Sequence, residues 1–196
     1  MTWKPDYATL SELKAFLRIT DTVDDTQIAT VVTAASRAID KATGRQFGLL
    51  SAAAEWIYTP VWDRHLGRWI VTIDDVATTT AMIVKIDGTA TTDYTLEPRN
   101  AVAKGRVWTQ LVLGSDEACT GARDCAAITA SWGWPSVPVA VKEAALLQAS
   151  RFHARRDSPY GVAGSPAEGS ELRLLATVDP DVRVALGDYT RVWGMV

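Results

Sequence analysis

A chain of 196 residues, 47% hydrophobic and 22% charged, has the length and apolar content of a globular protein with one domain or two small ones. Its net charge of −3 excludes the global attraction that drives non-specific binding to a polyanion, leaving only a local basic patch for such a role. No apolar run approaches the roughly 20 residues that span a bilayer. The opening MTWKPDYATL lacks the basic-then-apolar plan of a signal peptide, so a cytosolic setting is expected. In that setting Cys119 and Cys125, which bracket the polar loop CTGARDC, are expected as thiols rather than as a bridge.

Leu10, Leu13, Phe16 and Leu17 recur at helical spacing behind Thr9 and Ser11, either of which can cap, and predict a first helix running to about Leu17. In DDTQIATVVTAASRAIDKATG, Asp24 has Gln27 three residues later in capping-box spacing and Gly44 stands where a C-cap glycine belongs. Ile28, Val31, Val32, Ala35 and Ile39 form the buried face of this second helix.

From Glu55 the texture changes to β-branched and aromatic runs: EWIYTP, RWIVTI, AMIVKIDG, DYTLE, RVWTQLVL and AAITASWGW. Asp87-Gly88 is a hairpin-turn dipeptide. Pro135 and Pro138 stop the last strand, and VAVKEAALLQASRFHARR resumes a helical period with Val141, Ala144, Ala145, Gln148 and Phe152 on one face. The stretch from Asp157 to Ser170 is punctuated by glycine, proline and serine and reads as a loop or arm. DPDVRVALGDYTRVW closes with Asp179 as N-cap, Pro180 at the first helical position, and Val182, Ala185, Leu186 and Tyr189 as an apolar face. The reading is an α+β protein: a small bundle of about four helices (1–50 and 136–196) with a β-rich insertion of about five strands (51–135) between helices two and three. Leu13, Phe16, Ile28, Val32, Ile39, Ala145 and Phe152 are its expected helical core.

Chemistry is sparse in this chain. Only His65 and His153 are present, no G-x-S-x-G elbow accompanies them, and a cation at the end of a helix is explained by the helix dipole alone. The two cysteines and two histidines lack zinc spacing, and Asp24-Asp25 and Asp74-Asp75 sit where caps and turns want carboxylates. No catalytic residue, metal or cofactor is therefore expected. WDRHLGRW interleaves aromatic and basic residues, but its tryptophans read as core anchors flanking a hairpin. GVAG at Gly161–Gly164 formally fits a phosphate-clamping G-x-x-G loop, yet it follows a helix instead of opening one. Arg151, Arg155 and Arg156 leave a nucleic-acid-binding module at the basic end of helix three as the alternative reading, and an enzyme built around His153 as a third.

Taken together, LKAFLRITDTVDDTQIATVVTAASRAIDKATGR, DYTLEPRN, ASWGWPSVPVAVKEAALLQASRFHARRDSPYG and DPDVRVALGDY resemble the head-tail connector, or adaptor, proteins of long-tailed bacteriophages. The recognisable parts are the LKAFLRI helix, the acidic turn into an Ala-rich helix ending in arginine, and the GW-x-x-VP lead into a helix that stops at RRDSP. The resemblance implies a structural protein, not an enzyme, that builds a homo-oligomeric ring, typically of twelve copies, beneath the portal. It implies as partners the portal protein, a stopper or tail-completion protein, and genomic DNA passing through the lumen without sequence-specific contact, with no membrane involved. The place it implies is the neck of the virion, after assembly in the host cytoplasm.

On the same footing, the portal- or neighbour-gripping residues would be Arg155, Arg156, Asp157, Ser158, Pro159, Tyr160, Gly161, Val162, Leu172, Leu174 and Tyr189. The β insertion would face the tail side or the ring exterior. Two features of the residues agree with the resemblance. A mildly acidic protein lets a duplex slide, and a glycine-spaced arm with few apolar anchors suits ordering against another subunit.

Overall fold

The computed structural model describes residues 3–114, 123–156, 162–163, 172–173 and 179–191. They fall into two compact units, one formed by Pro5–Arg45 and Val137–Val196, the other by Met1–Lys4 and Gln46–Ser136.

The first unit is helical. α1 (Leu10–Leu17) begins with a complete capping box: the Thr9 hydroxyl accepts from the Glu12 N–H at 3.2 Å, and the Glu12 carboxylate accepts from the Thr9 N–H at 2.9 Å. α2 (Asp25–Thr43) ends at Gly44 in the left-handed conformation, φ 64°, with its N–H on the Asp40 carbonyl. α3 spans Val139–Arg155, and α4 (Pro180–Leu186) starts behind Asp179, whose carboxylate accepts from the Asp181 N–H at 2.9 Å. Leu13, Ile28, Val32, Ile39, Val141, Ala145, Val182 and Leu186 are buried together with Ala35, Ala144 and Ala149. Alanines at those positions let the helix axes approach closely. Asp40 is also buried, held by the Tyr7 hydroxyl and by Arg37 Nε at 3.2 Å, so its charge is paired as burial requires.

Two expectations for this unit are corrected. Phe16, expected in the core, is 45% exposed, and Phe152 is half-buried. At 100° per residue, Leu10, Leu13 and Leu17 fall within about 60° of one another, whereas Phe16 lies about 100° from Leu17, beyond the edge of that stripe. Phe16→Ala should therefore lower stability by less than about 1 kcal/mol in a denaturant titration. Asp24 does precede α2 but makes no side-chain capping bond. Its carboxylate instead receives Arg156 Nη1 at 2.9 Å, a charged partner from the end of α3 that competes with the neutral cap.

The second unit consists of two four-stranded antiparallel sheets around one core. β1 (Ala54–Tyr58), β8 (Ala126–Ala130), β4 (Ile83–Ile86) and β5 (Thr89–Thr91) form one sheet in the order β1-β8-β4-β5. β2 (Val61–Asp63), β3 (Arg68–Val76), β7 (Trp108–Leu113) and β6 (Tyr94–Glu97) form the other, ordered β2-β3-β7-β6. Alternation decides which side chains turn inward. Val71 and Ile73 of β3, Leu111 and Leu113 of β7, Val84 and Ile86 of β4, and Ala126, Ile128 and Ala130 of β8 share the core with Trp132. Asp87 and Gly88 join β4 to β5 with φ 47° and 80°, the paired positive φ values of a type I′ hairpin. The fold class read from the sequence is borne out: four helices, with the strand-rich region between α2 and α3. Among the described residues the insertion holds eight strands instead of about five. All six predicted runs form, and the two additions, β2 and β5, are three-residue edge strands.

Candidate partner-binding surface

Of the residues expected to grip a partner, Arg155, Arg156, Val162, Leu172 and Tyr189 lie among the described residues. Arg155 and Arg156 lie at the end of α3, Arg155 half-buried and Arg156 exposed. Asp157, Ser158, Pro159, Tyr160, Gly161 and Leu174 lie outside the described residues, as does Cys119. Val162 belongs to β9 (Val162–Ala163) and Leu172 to β10 (Leu172–Arg173), which pair antiparallel with Leu172 opposite Ala163 and Arg173 opposite Val162. The arm, read as a loop, thus contains a short two-stranded ribbon, and the middle of GVAG is one of its strands. Tyr189 is half-buried in a 3-10 turn, Gly187–Tyr189, directly after α4.

The basic end of α3 is occupied by the chain's own carboxylates. Arg156 binds Asp24, and Arg151 Nη1 lies 3.3 Å from Asp179 Oδ2, the carboxylate that also caps α4. Both pairs tie α3 to a neighbouring helix start, where a carboxylate is already favoured by the dipole. A phosphate would have to displace these carboxylates, which weighs against the nucleic-acid alternative. At the other end of the helix, Lys142 meets Glu12; that ammonium, followed by the Thr9 N–H, holds the Glu12 carboxyl below the usual range.

A surface that sequence reasoning missed lies on the β2–β3 hairpin. Trp62, read as a core anchor, is 48% exposed, and Val61 and Leu66 beside it are 40% and 59% exposed. The reason is positional. β2 is a three-residue edge strand with no further strand beside it among the described residues, so Trp62 leans edge-on against Trp69 of β3 (centroids 5.4 Å apart) and is 48% exposed. The sequence marked WDRHLGRW as a turn flanked by tryptophans, but only the sheet order places Trp62 at an edge. Asp63 shapes the turn by accepting from the Leu66 and His65 N–H groups at 3.0 and 2.8 Å, which also holds its carboxyl below the ordinary aspartate range. Phe16, at the end of α1, is a second exposed aromatic.

His153 has a buried Nδ1 without a hydrogen-bond partner among the described residues, while the Asp157 and Ser158 of a triad reading lie outside them. Among the described residues no three His, Cys, Asp or Glu side chains meet in a group able to hold a metal ion, and no helix is long and apolar enough to cross a membrane.

The architecture is thus that of a helical bundle carrying a two-sheet insertion. The resemblance to head-tail connectors is borne out: residues 7–64, which hold α1, α2 and the first two strands, match the family described as phage gp6-like head-tail connector protein. The whole chain is also similar in fold to a solved chain from the neck of an empty gene transfer agent particle, at 19% identity and a TM-score of 0.54, covering 100% of this chain and 95% of that one. A chain from the virion of a native gene transfer agent particle is similar at 20% identity and a TM-score of 0.53, with the same coverage. No curated protein matches the chain.

Proposed function

We propose that this protein is a structural component of a phage-type neck, one copy of a ring that joins a portal to a tail and lets DNA pass. The observation that carries the reading is the match of residues 7–64 to the connector family, with the end-to-end fold likeness to a particle-neck chain in support. On this reading the partners are further copies of the chain, the portal on one side, a stopper or tail-completion protein on the other, and the DNA that passes through the lumen. Its place is the virion, and its role is architectural, not catalytic. The ion pairs that occupy Arg151 and Arg156 fit a conduit, which must not hold the duplex it surrounds.

The arm that follows α3, from residue 157 to residue 175, is the gripping part in this proposal, together with Arg155, Arg156 and Tyr189. Its ribbon pairs two residues with two, too little to be stable on its own, so docking on another chain is its natural source of stability. Deleting residues 158–169 removes no residue of the described core. The helical signal in circular dichroism should therefore be retained while attachment to the portal is lost. Normal attachment by the deletion variant would show the arm to be a passive linker, and an unfolded variant would place it in the core.

A further inference from the structure

The tip of the β2–β3 hairpin is shaped before anything binds to it. Asp63 accepts from the His65 and Leu66 N–H groups, the Gly67 N–H closes on the Asp63 carbonyl at 2.9 Å, and Gly67 takes φ +60° with open space around it. Trp62 is steadied from one side by Trp69. Apolar side chains fixed in this way lose little conformational freedom on docking, and an exposed tryptophan between aliphatic neighbours is the composition of an interface centre. The rim of the tip is positive. Arg64 and His65 are exposed, Arg64 has no carboxylate partner among the described residues, and Asp63 turns its Oδ1 to the backbone N–H groups of the turn.

A groove of complementary character lies on the helical unit between α1 and α2. It has a volume of about 550 Å³, and Leu10, Ala29, Thr30 and Thr33 line it with Asp6 and Asp25. Asp25 is paired with Lys14. Asp6 accepts only from the Thr33 hydroxyl at 2.9 Å and has no cationic partner among the described residues. The groove is therefore small-walled, with threonines around an apolar floor of Leu10 and Ala29 and a negative charge at Asp6, while the hairpin tip is an apolar knob carrying the positive Arg64.

We propose that the hairpin tip of one copy seats in the α1–α2 groove of the next, with Trp62 and Leu66 against Leu10 and Ala29 and with Arg64 facing Asp6. Because knob and groove are made of different residues, each copy can seat its knob in one neighbour while its own groove receives another, the head-to-tail arrangement that generates rings when the rotation closes. The inference deepens the ring reading and rests on it. Opposite unpaired charges also give the contact a register, because a like-charge juxtaposition would be disfavoured.

The test is a charge swap read by sedimentation velocity on the full chain, alone and with its portal, with circular dichroism confirming that each variant is folded. Trp62, Arg64 and Asp6 are all exposed, so their replacement leaves the core untouched. Trp62→Ala should weaken self-association about thirty-fold, the effect of losing one interface anchor. Arg64→Asp and Asp6→Arg should each weaken it about ten-fold, and the two together should restore it to within about three-fold of the unaltered chain. Single reversals that leave association unchanged, or a double variant no better than either single one, overturn the contact and leave ring formation standing. A chain that stays monomeric under all conditions overturns the ring reading, and this contact with it.

Discussion

Gly133→Ala is expected to lower the stability of the β unit by about 3–5 kcal/mol. Gly133 takes φ +112°, a conformation that L side chains rarely adopt, and a Cβ built there would stand 1.9 Å from the carbonyl oxygen of Gly48. The obstruction is backbone, so no side chain can swing aside. Relief would have to come from separating the segments around Gly48 and Gly133, and several bonds hold them together. The Trp134 N–H donates to Gly48 O at 2.8 Å and the Leu50 N–H to the Trp132 carbonyl at 2.9 Å, while β3 anchors the Gly133 side: the Gly133 N–H donates to the Asp75 carbonyl at 2.6 Å and Trp134 Nε1 to the buried Asp75 carboxylate at 2.8 Å. Breaking the last of these would cost the buried Asp75 carboxylate a hydrogen bond, which adds to the strain at Gly133. Seven of the eight tryptophans belong to this unit, so a urea titration followed by tryptophan fluorescence reports on it directly. A shift worth less than about 1 kcal/mol would mean that the two segments separate easily.

Trp132→Ala should cost a similar amount, about 3–5 kcal/mol, through a different mechanism. Trp132 is fully buried between the two sheets and stacks on Trp56, with centroids 4.6 Å apart and planes 5° from parallel. Truncation leaves a cavity of nearly indole size among Val84, Ile128 and their neighbours, and rigid strands cannot collapse into it. Trp132 Nε1 also donates to the Ala54 carbonyl at 2.8 Å, fixing the start of β1. Trp132→Phe separates the two contributions: it refills most of the volume and should recover all but about 1–2 kcal/mol, the lost hydrogen bond and residual void. If phenylalanine were no better than alanine in the same fluorescence-monitored titration, packing of the ring would not be what matters at this position.

Local rules made much of this fold legible in the sequence. Thr9 with Glu12, Gly44, Asp179 with Pro180, and Asp87-Gly88 each act over four residues or fewer, and each forms the structure its spacing predicts. Rules fail where a distant partner wins. Asp24 has the capping-box spacing but gives its carboxylate to Arg156, which is 132 positions away in the chain. Phe16 belongs to an apolar set at helical spacing, yet an eight-residue helix buries too narrow a stripe to include it. β2 and β5 escaped notice because three residues carry almost no periodic signal. Trp62 was misread with β2, since only the sheet order shows that this strand lies at an edge. The candidate surface was less legible than the fold for the same reason: a partner-binding face is defined by what the chain leaves uncovered, and exposure follows from tertiary placement. Composition did mark the arm as different from its surroundings, but nothing in GVAG announced that Val162 and Ala163 would pair with Leu172 and Arg173.

The central claim, that copies of this chain form a connector ring on a portal, is tested most directly by native mass spectrometry of the purified chain mixed with its cognate portal. The account predicts a closed assembly in which the mass added to the portal is a whole-number multiple of the 21.2 kDa chain, with one preferred multiple. A portal whose mass is unchanged by excess chain, under conditions where the chain is folded, would contradict it.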